Sequence, residues 1–328
     1  MDTIAPSEMQ AAQFRGFGGP EVLEVVTVAQ PVPGPGEVQV RVGASGLNQH
    51  DMFVRAGTLR LVTGRKFPLG LGLDFAGEVT ATGANVDDVD DVALGSRVWG
   101  MVSPKKGHRT GADAQYVVVP ADRVSAFPAQ LSMVEAASLV TPAESALRAL
   151  RDVAHTQPGE RLLVRGAAGG VGTVAVQLAH ALGAHVTALA SARDAEHVAR
   201  FGADEVLDYR ATRARDVGPF DVIFDTAGRG MLPFRRRLAR GGRMVTVNFS
   251  GAPAMAAIAL STILGPRRIR AFSGYPDRQL LDDVAQFVQA GAIRPFVDAV
   301  YPLDRIADAH RALAAPLRPG RLVLTMGD

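Results

Sequence analysis

The run Arg161-Leu162-Leu163-Val164-Arg165 favours an extended strand and leads directly into Gly166-Ala167-Ala168-Gly169-Gly170-Val171-Gly172. Beyond the glycines, Val171, Val174, Ala175, Leu178, Ala179 and Leu182 recur at helical spacing, and Gly183 stands where such a helix would stop. Few folds accommodate that order. A strand that turns on glycines into a helix leaves the first helical N–H groups unpaired, and they face whatever anion lies at the turn. Glycines spaced three apart also let the backbone come close to a pyrophosphate. A dinucleotide site built on Gly166, Gly169, Gly170, Val171 and Gly172 is therefore expected. The competing reading is a tight strand-to-helix turn that binds nothing.

The rest of the chain supplies the context that such a turn needs. A length of 328 residues allows two separate cores. Residues 23–28, 38–42, 75–79, 97–102 and 115–119 read as short strands between Gly/Pro turns, the pattern of a small barrel. Near residue 130 the pattern changes. Ser132 with Glu135 has capping-box form, and Thr141-Pro142-Ala143-Glu144 reads as a further helix start, with a Thr cap and Pro at the first helical position. Stretches 161–165, 185–190, 205–208, 220–225, 242–248 and 268–273 look extended and mostly alternate with helical ones, which predicts a doubly wound parallel sheet. A helix near 278–291, an extended stretch at 296–301, a capped helix from Asp304 and a last strand at 321–326 follow.

Charge and composition exclude several classes. The formal charge is +2, and the basic runs Arg235-Arg236-Arg237 and Arg267-Arg268 are short, so no nucleic-acid partner is expected. The absence of cysteine rules out disulfides and any zinc site that needs thiolates. The N-terminus lacks the apolar core of a signal peptide, and the longest apolar run, 252–264, is too short to span a membrane. A cytoplasmic protein without a membrane segment is the expectation.

Read together, the chain resembles the medium-chain dehydrogenase/reductase superfamily, in its zinc-free, zeta-crystallin-like quinone oxidoreductase branch. The marks, in order, are Gly18-Gly19-Pro20-Glu21-Val22-Leu23, Gly46-Leu47-Asn48 with Asp51, Gly72-Leu73-Asp74-Phe75-Ala76-Gly77 and Gly95-Ser96-Arg97-Val98. The glycine turn, Gly202-Ala203-Asp204 and Pro319-Gly320-Arg321-Leu322-Val323-Leu324 complete them. The resemblance covers nearly the whole chain. It implies an α/β protein in which a GroES-like β-barrel catalytic domain (1–126 and 274–328) encloses a Rossmann domain (127–273) that binds NADPH. It also implies an active site in the cleft between the two, and a homodimer.

Zinc-dependent members of that family carry a Cys at the position of Asn48, a His-Glu pair at Leu73-Asp74, and a third ligand at Thr141; no metal is therefore expected. Without a Lewis acid to hold an alkoxide, acceptors that delocalise their own charge are favoured. The expected reaction is hydride transfer from NADPH to a quinone or an α,β-unsaturated carbonyl, aided by hydrogen-bond donors and a proton source. An enoyl reductase acting on acyl thioesters is the nearest alternative, and a non-catalytic NADPH-binding protein is an alternative of another class.

Ser191 and Arg193 follow the second strand of the parallel sheet, where NAD-selective folds place an acid; a hydroxyl and a cation there suit a 2′-phosphate. NADPH-binding members of the family use a similar pair and a Tyr at the position of Tyr209. A capping box from Ser191 to Asp194, with Arg193 solvated, is the alternative, and Asp194 leaves an NAD reading open. By resemblance Asn48 lies near nicotinamide and substrate, and Ser145 takes the place of a Thr on the helix that passes the nicotinamide. Ala227, Gly228 and Asn248, after strand ends, are expected to line the cofactor groove. His50 is a candidate proton donor, since an imidazole titrates near neutrality; a structural histidine is the alternative. Phe53 replaces a Tyr of some quinone reductases. The acidic Asp87, Asp88, Asp90 and Asp91 read as a solvated turn rather than a cation site. The segment from Lys105 to Arg109 reads as a loop at the rim of the cleft, either touching an acidic substrate or simply exposed.

Overall fold

The structure is a computed structural model that describes residues 7–64, 66–86, 92–103, 110–248, 252–263, 268–272, 274–315 and 319–327. The acidic turn at 87–91, the basic loop at 105–109 and Arg267 lie outside the described residues. The first part of the chain forms β1 (Glu8–Phe14), β2 (Leu23–Ala29), β3 (Glu37–Gly46), α1 (Gln49–Arg55), α2 (Arg60–Thr63), β4 (Leu69–Gly70), β5 (Asp74–Thr82), β6 (Arg97–Met101), β7 (Tyr116–Pro120) and β8 (Val124–Ala126). β3 is their hub, antiparallel to both β5 and β7. Its alternation decides its facing: Val38, Val40 and Val42 are buried while Arg41 is exposed.

α3 (Met133–Leu147) begins where the capping box predicts. Ser132 Oγ accepts the Glu135 N–H at 3.2 Å, and the Glu135 carboxylate accepts the Ser132 N–H at 2.8 Å. The further start expected at Thr141 does not occur: α3 runs through Pro142. A proline inside a helix removes one N–H and crowds the carbonyl of the preceding turn. Thr141 starts no new helix; its N–H donates to Asp74 Oδ2 on β5 at 3.2 Å, and its hydroxyl to the other oxygen. The helix continues into a π-helical segment, Arg148–Val153.

Next come β9 (Arg161–Arg165), α4 (Gly170–Ala181), β10 (His185–Ala190), α5 (Ala195–Arg200), β11 (Glu205–Asp208), β12 (Phe220–Asp225), α6 (Met231–Arg235), β13 (Leu238–Thr246), α7 (Ala252–Ile263) and β14 (Ile269–Ala271). Their strands form one parallel sheet in the order β11-β10-β9-β12-β13-β14. The chain reverses its direction of travel between β9 and β12, and the crevice at that switch point is where such sheets bind ligands. The glycine turn follows β9 at that crevice.

The chain ends with α8 (Arg278–Gln289), β15 (Val297–Pro302), α9 (Ile306–Ala314) and β16 (Arg321–Thr325). β16 runs antiparallel to β3, with Val323 opposite Gly46, so both ends of the chain share one sheet. A backbone bridge between Gly169 and Gly320 ties that sheet to the glycine turn. The parallel sheet and the first sheet meet across α3: its buried Leu139, Val140, Ala143 and Leu147 share a core with Leu162, Val164 and Val174, and with Trp99 and Phe127. Full burial of each large side chain there stabilises the fold by roughly 1.5–3 kcal/mol.

Candidate active site

The glycine turn has the geometry its sequence implies. Gly166 lies at φ +77°, and a Cβ there would stand 2.5 Å from Thr226 Oγ1. A Cβ on Gly172 would stand 2.1 Å from the Gly166 carbonyl oxygen, so only glycine lets α4 start this close to the turn. Gly169 caps α4 and Gly170, Val171 and Gly172 form its first turn. An ion pair holds the neighbouring strand ends: Arg165 Nη1 donates to Asp225 Oδ1 at 2.7 Å, and Arg165 Nη2 to the Arg229 carbonyl at 2.6 Å. Burial pushes the Asp225 carboxyl up and Arg165 opposes that. Asp225 also accepts the Gly228 N–H, and Gly228, at φ +68°, packs against the Asn248 side chain. Ala227 is thereby brought beside the glycine turn, its N 3.3 Å from where a Cβ on Gly166 would be.

At the end of β10, Ser191 Oγ donates to Asp194 Oδ2 at 2.6 Å, and Arg193 Nε to Asp194 Oδ1 at 3.2 Å. Asp194 is buried while the Arg193 side chain is 68% exposed, so the cation stands outward on an acid pinned beneath it. The Tyr209 N–H donates to the Ala190 carbonyl, which sets the exposed Tyr209 beside the same strand end. Ser191, Arg193 and Tyr209 therefore share one corner.

The barrel side of the cleft holds a network that the sequence did not reveal. Arg321 Nη2 donates to Asn48 Oδ1 at 2.7 Å and to Asp74 Oδ2 at 2.6 Å. Thr141 Oγ1 donates to Asp74 Oδ1 at 2.5 Å. Burial pushes the Asp74 carboxyl up, opposed first by Arg321 and then by Thr141. A guanidinium has no acceptor, so the Asn48 atom facing it must be the amide oxygen. Asn48 Nδ2 donates to the Gly46 carbonyl at 3.1 Å, and its backbone N–H to Asp51 Oδ2 at 2.8 Å. The amide is fixed from both ends, and a side-chain hydrogen bond from Asn48 also helps to hold the Asp74 carboxyl down. Asn48, Asp74 and Thr141 come from β3–α1, β5 and α3, and Arg321 joins them. The Arg321 side chain also borders the glycine turn, since its Cδ lies 3.3 Å from where a Cβ on Gly170 would be, and its Nε is buried without a partner.

His50 sits in the first turn of α1, with Nδ1 3.8 Å from Asp51 Oδ1 and about a third of its side chain exposed. No direct bond joins it to Asn48 among the described contacts. Behind it, Ser45 Oγ donates to the fully buried Asp113 at 2.6 Å, and burial with Asp51 nearby pushes the Asp113 carboxyl up to about 8. On α3, Ser145 Oγ donates to Glu144 Oε2 at 3.0 Å. Sequence reasoning missed Arg321, Asp113 and Glu144 as site residues. Arg321 stood in a motif, but nothing in the linear order says which carboxylate it meets.

Comparison with known proteins agrees with this architecture. Residues 34–129 match a family described as the alcohol dehydrogenase GroES-like domain, and residues 201–324 one described as zinc-binding dehydrogenase. Over 334 residues, 98% of this chain and 99% of the relative, it is 30% identical to a chloroplastic quinone-oxidoreductase homolog of Spinacia oleracea. The chain belongs to the medium-chain dehydrogenase/reductase superfamily, in its quinone oxidoreductase-like branch. A mitochondrial NAD(P)H oxidoreductase of Homo sapiens is 30% identical over 89% of this chain and 82% of its own length. The solved quinone oxidoreductase of Coxiella burnetii superposes with a TM-score of 0.88 at 28% identity, covering 98% of this chain and all of the other.

The zinc named in one of those descriptions does not fit the side chains present. At the three family positions stand the Asn48 amide, the Leu73-Asp74 pair, whose carboxylate is already held by a guanidinium, and Thr141; neither thiolate nor imidazole is offered. Among the described residues no three His, Cys, Asp or Glu side chains cluster as a metal site would require. No described helix is long and apolar enough to cross a membrane.

Proposed function

We propose that the protein is a zinc-independent reductase that passes a hydride from NADPH to a quinone or an α,β-unsaturated carbonyl. The observation that carries this reading is the Asn48–Arg321–Asp74–Thr141 network, which stands where zinc-dependent relatives hold their metal and lies directly beside the glycine cradle. The cradle at Gly166, Gly169, Gly170, Val171 and Gly172 would hold the pyrophosphate, with Arg321 beside it. Ser191, Arg193 and Tyr209 would take the 2′-phosphate corner, and Ser145, Ala227 and Asn248 the remaining groove. A bound reduced nicotinamide would supply the hydride.

The chain's own groups then have to hold the charge that arrives on the acceptor oxygen. Asn48 and Arg321 are held in one network with Asp74 and Gly46, so the dipole and charge they would present to the acceptor cost no reorganisation when charge develops. His50, two residues further on, is about a third exposed and its Nδ1 makes no hydrogen bond; it would hand a proton to the enolate or hydroquinone oxygen. An acceptor that spreads its own negative charge needs no more than this.

Steady-state oxidation of NADPH and of NADH, each with a small quinone, an enone and an enoyl thioester, tests the reading. The expected result is turnover with quinone or enone and a preference for NADPH. Turnover confined to the enoyl thioester would move the protein to acyl reduction. Tight NADPH binding without turnover on any acceptor would make it a binding protein.

A further inference from the structure

We infer that Glu144 controls the proton on the Ser145 hydroxyl, and so sets whether Ser145 accepts or donates toward the bound nicotinamide. The inference rests on the cofactor reading above and gives one of its residues a switch. Glu144 lies one position before Ser145 on α3, and only 3% of it is exposed. Its Oε2 accepts from Ser145 Oγ at 3.0 Å, and its Oε1 lies 3.1 Å from Arg148 Nε one turn further on. Arg148 reaches on to the Tyr275 carbonyl at 3.4 Å, and a Cβ on Gly274 would meet its Nη1, so the guanidinium is anchored away from Ser145.

Donor arithmetic gives the switch. A serine hydroxyl carries one hydrogen. With Glu144 ionised, that hydrogen is committed to the carboxylate, and Ser145 shows only lone pairs to the cleft. With Glu144 protonated, the acid needs an acceptor. Arg148 offers only donors, so the acid's hydrogen goes to Ser145 Oγ and the serine hydrogen is released toward the cleft. The charged groups facing Glu144 are Arg148 and Asp152 along the same helix and Asp74 from β5. Burial, opposed first by Arg148, pushes the Glu144 carboxyl up to about 7, so the exchange falls near neutrality.

An acceptor at Ser145 suits the amide N–H of a carboxamide, so NADPH binds more tightly with Glu144 ionised. The test is a fluorescence titration with NADPH and no acceptor, from pH 5.5 to 8.5, on the wild type, Glu144→Gln and Ser145→Ala. The cofactor's own titration is common to all three and cancels in ratios. One neutral hydrogen bond gained or lost predicts that the Kd ratio of Glu144→Gln to wild type rises about fivefold across neutrality. The Ser145→Ala to wild-type ratio should rise in the same way, and it carries the test if Glu144→Gln does not fold. A flat ratio in both, with wild-type binding intact, overturns the inference and leaves the cofactor reading standing. A Ser145→Ala protein that keeps the wild-type pH dependence also overturns it, because Glu144 would then act by charge alone. A wild type that binds no nicotinamide cofactor at any pH overturns the cofactor reading together with this inference.

Discussion

Arg321 and Asp74 are 247 positions apart in the chain, yet Arg321 Nη2 lies 2.6 Å from Asp74 Oδ2 with both side chains nearly inaccessible. The pair closes the barrel's C-terminal strand β16 onto β5, and through Asn48 it fixes the amide that faces the cleft. Removing one partner from a buried pair leaves the other charge uncompensated. Arg321→Met should therefore cost about 3 kcal/mol of stability at pH 8. The loss should be smaller at pH 5, since burial already pushes the Asp74 carboxyl up and a lower pH favours its neutral form. Asp74→Asn added to Arg321→Met should recover most of it. Urea unfolding of the single and double variants at both pH values measures this; equal losses at the two pH values would contradict it.

Asp113 and Glu144 give a second, global signature. Their carboxyls are pushed up to about 8 and about 7, whereas an unfolded chain releases such protons near pH 4. Between those limits the folded state binds more protons, so their contribution to stability falls as pH rises and is fully lost above about 8. Asp113→Asn, which keeps an acceptor for Ser45, should gain on the wild type as pH goes from 5 to 9. Denaturant midpoints across that range check it, and a constant difference between the two proteins would refute the assignment.

Arg193 should discriminate between the two nicotinamide cofactors. Its side chain stands exposed above Asp194, so a 2′-phosphate can reach it without breaking the buried Ser191–Asp194 bond. Arg193→Ala should weaken NADPH binding about tenfold, the loss of one charge-assisted contact, and leave NADH binding nearly unchanged. Equal effects on both cofactors would remove Arg193 from that corner.

His50→Ala should lower the turnover number with quinone or enone about a hundredfold, within the range of general acid catalysis. An unchanged turnover number would show that the proton comes from elsewhere.

These cases separate what short-range sequence can say from what it cannot. The cradle at 166–172 was legible because its geometry is local: Gly166 needs a positive φ, and Gly172 has no room for a Cβ. The capping box at Ser132 was legible for the same reason. Thr141-Pro142 misled for an instructive reason. Its local chemistry favours a helix start, but a helix begun at Met133 runs through it, and Thr141 turns its donors to Asp74 on another element. Ser191 and Asp194 do not form the capping box of the plainer reading: they bond side chain to side chain, and Arg193 stays outward over Asp194. Arg321 with Asp74, and Arg165 with Asp225, join residues far apart in the chain, and no periodicity or spacing encodes such pairs.

The claim that the chemistry here runs on a fixed cation and donors in place of zinc can be tested in one preparation. Protein dialysed against a strong chelator, shown by metal analysis to be free of zinc, is mixed with NADPH and a small quinone, and cofactor oxidation is followed by absorbance. The account predicts the same turnover number before and after chelation, with no gain when zinc is restored. Loss of turnover on chelation, with recovery on adding one equivalent of zinc, would contradict it.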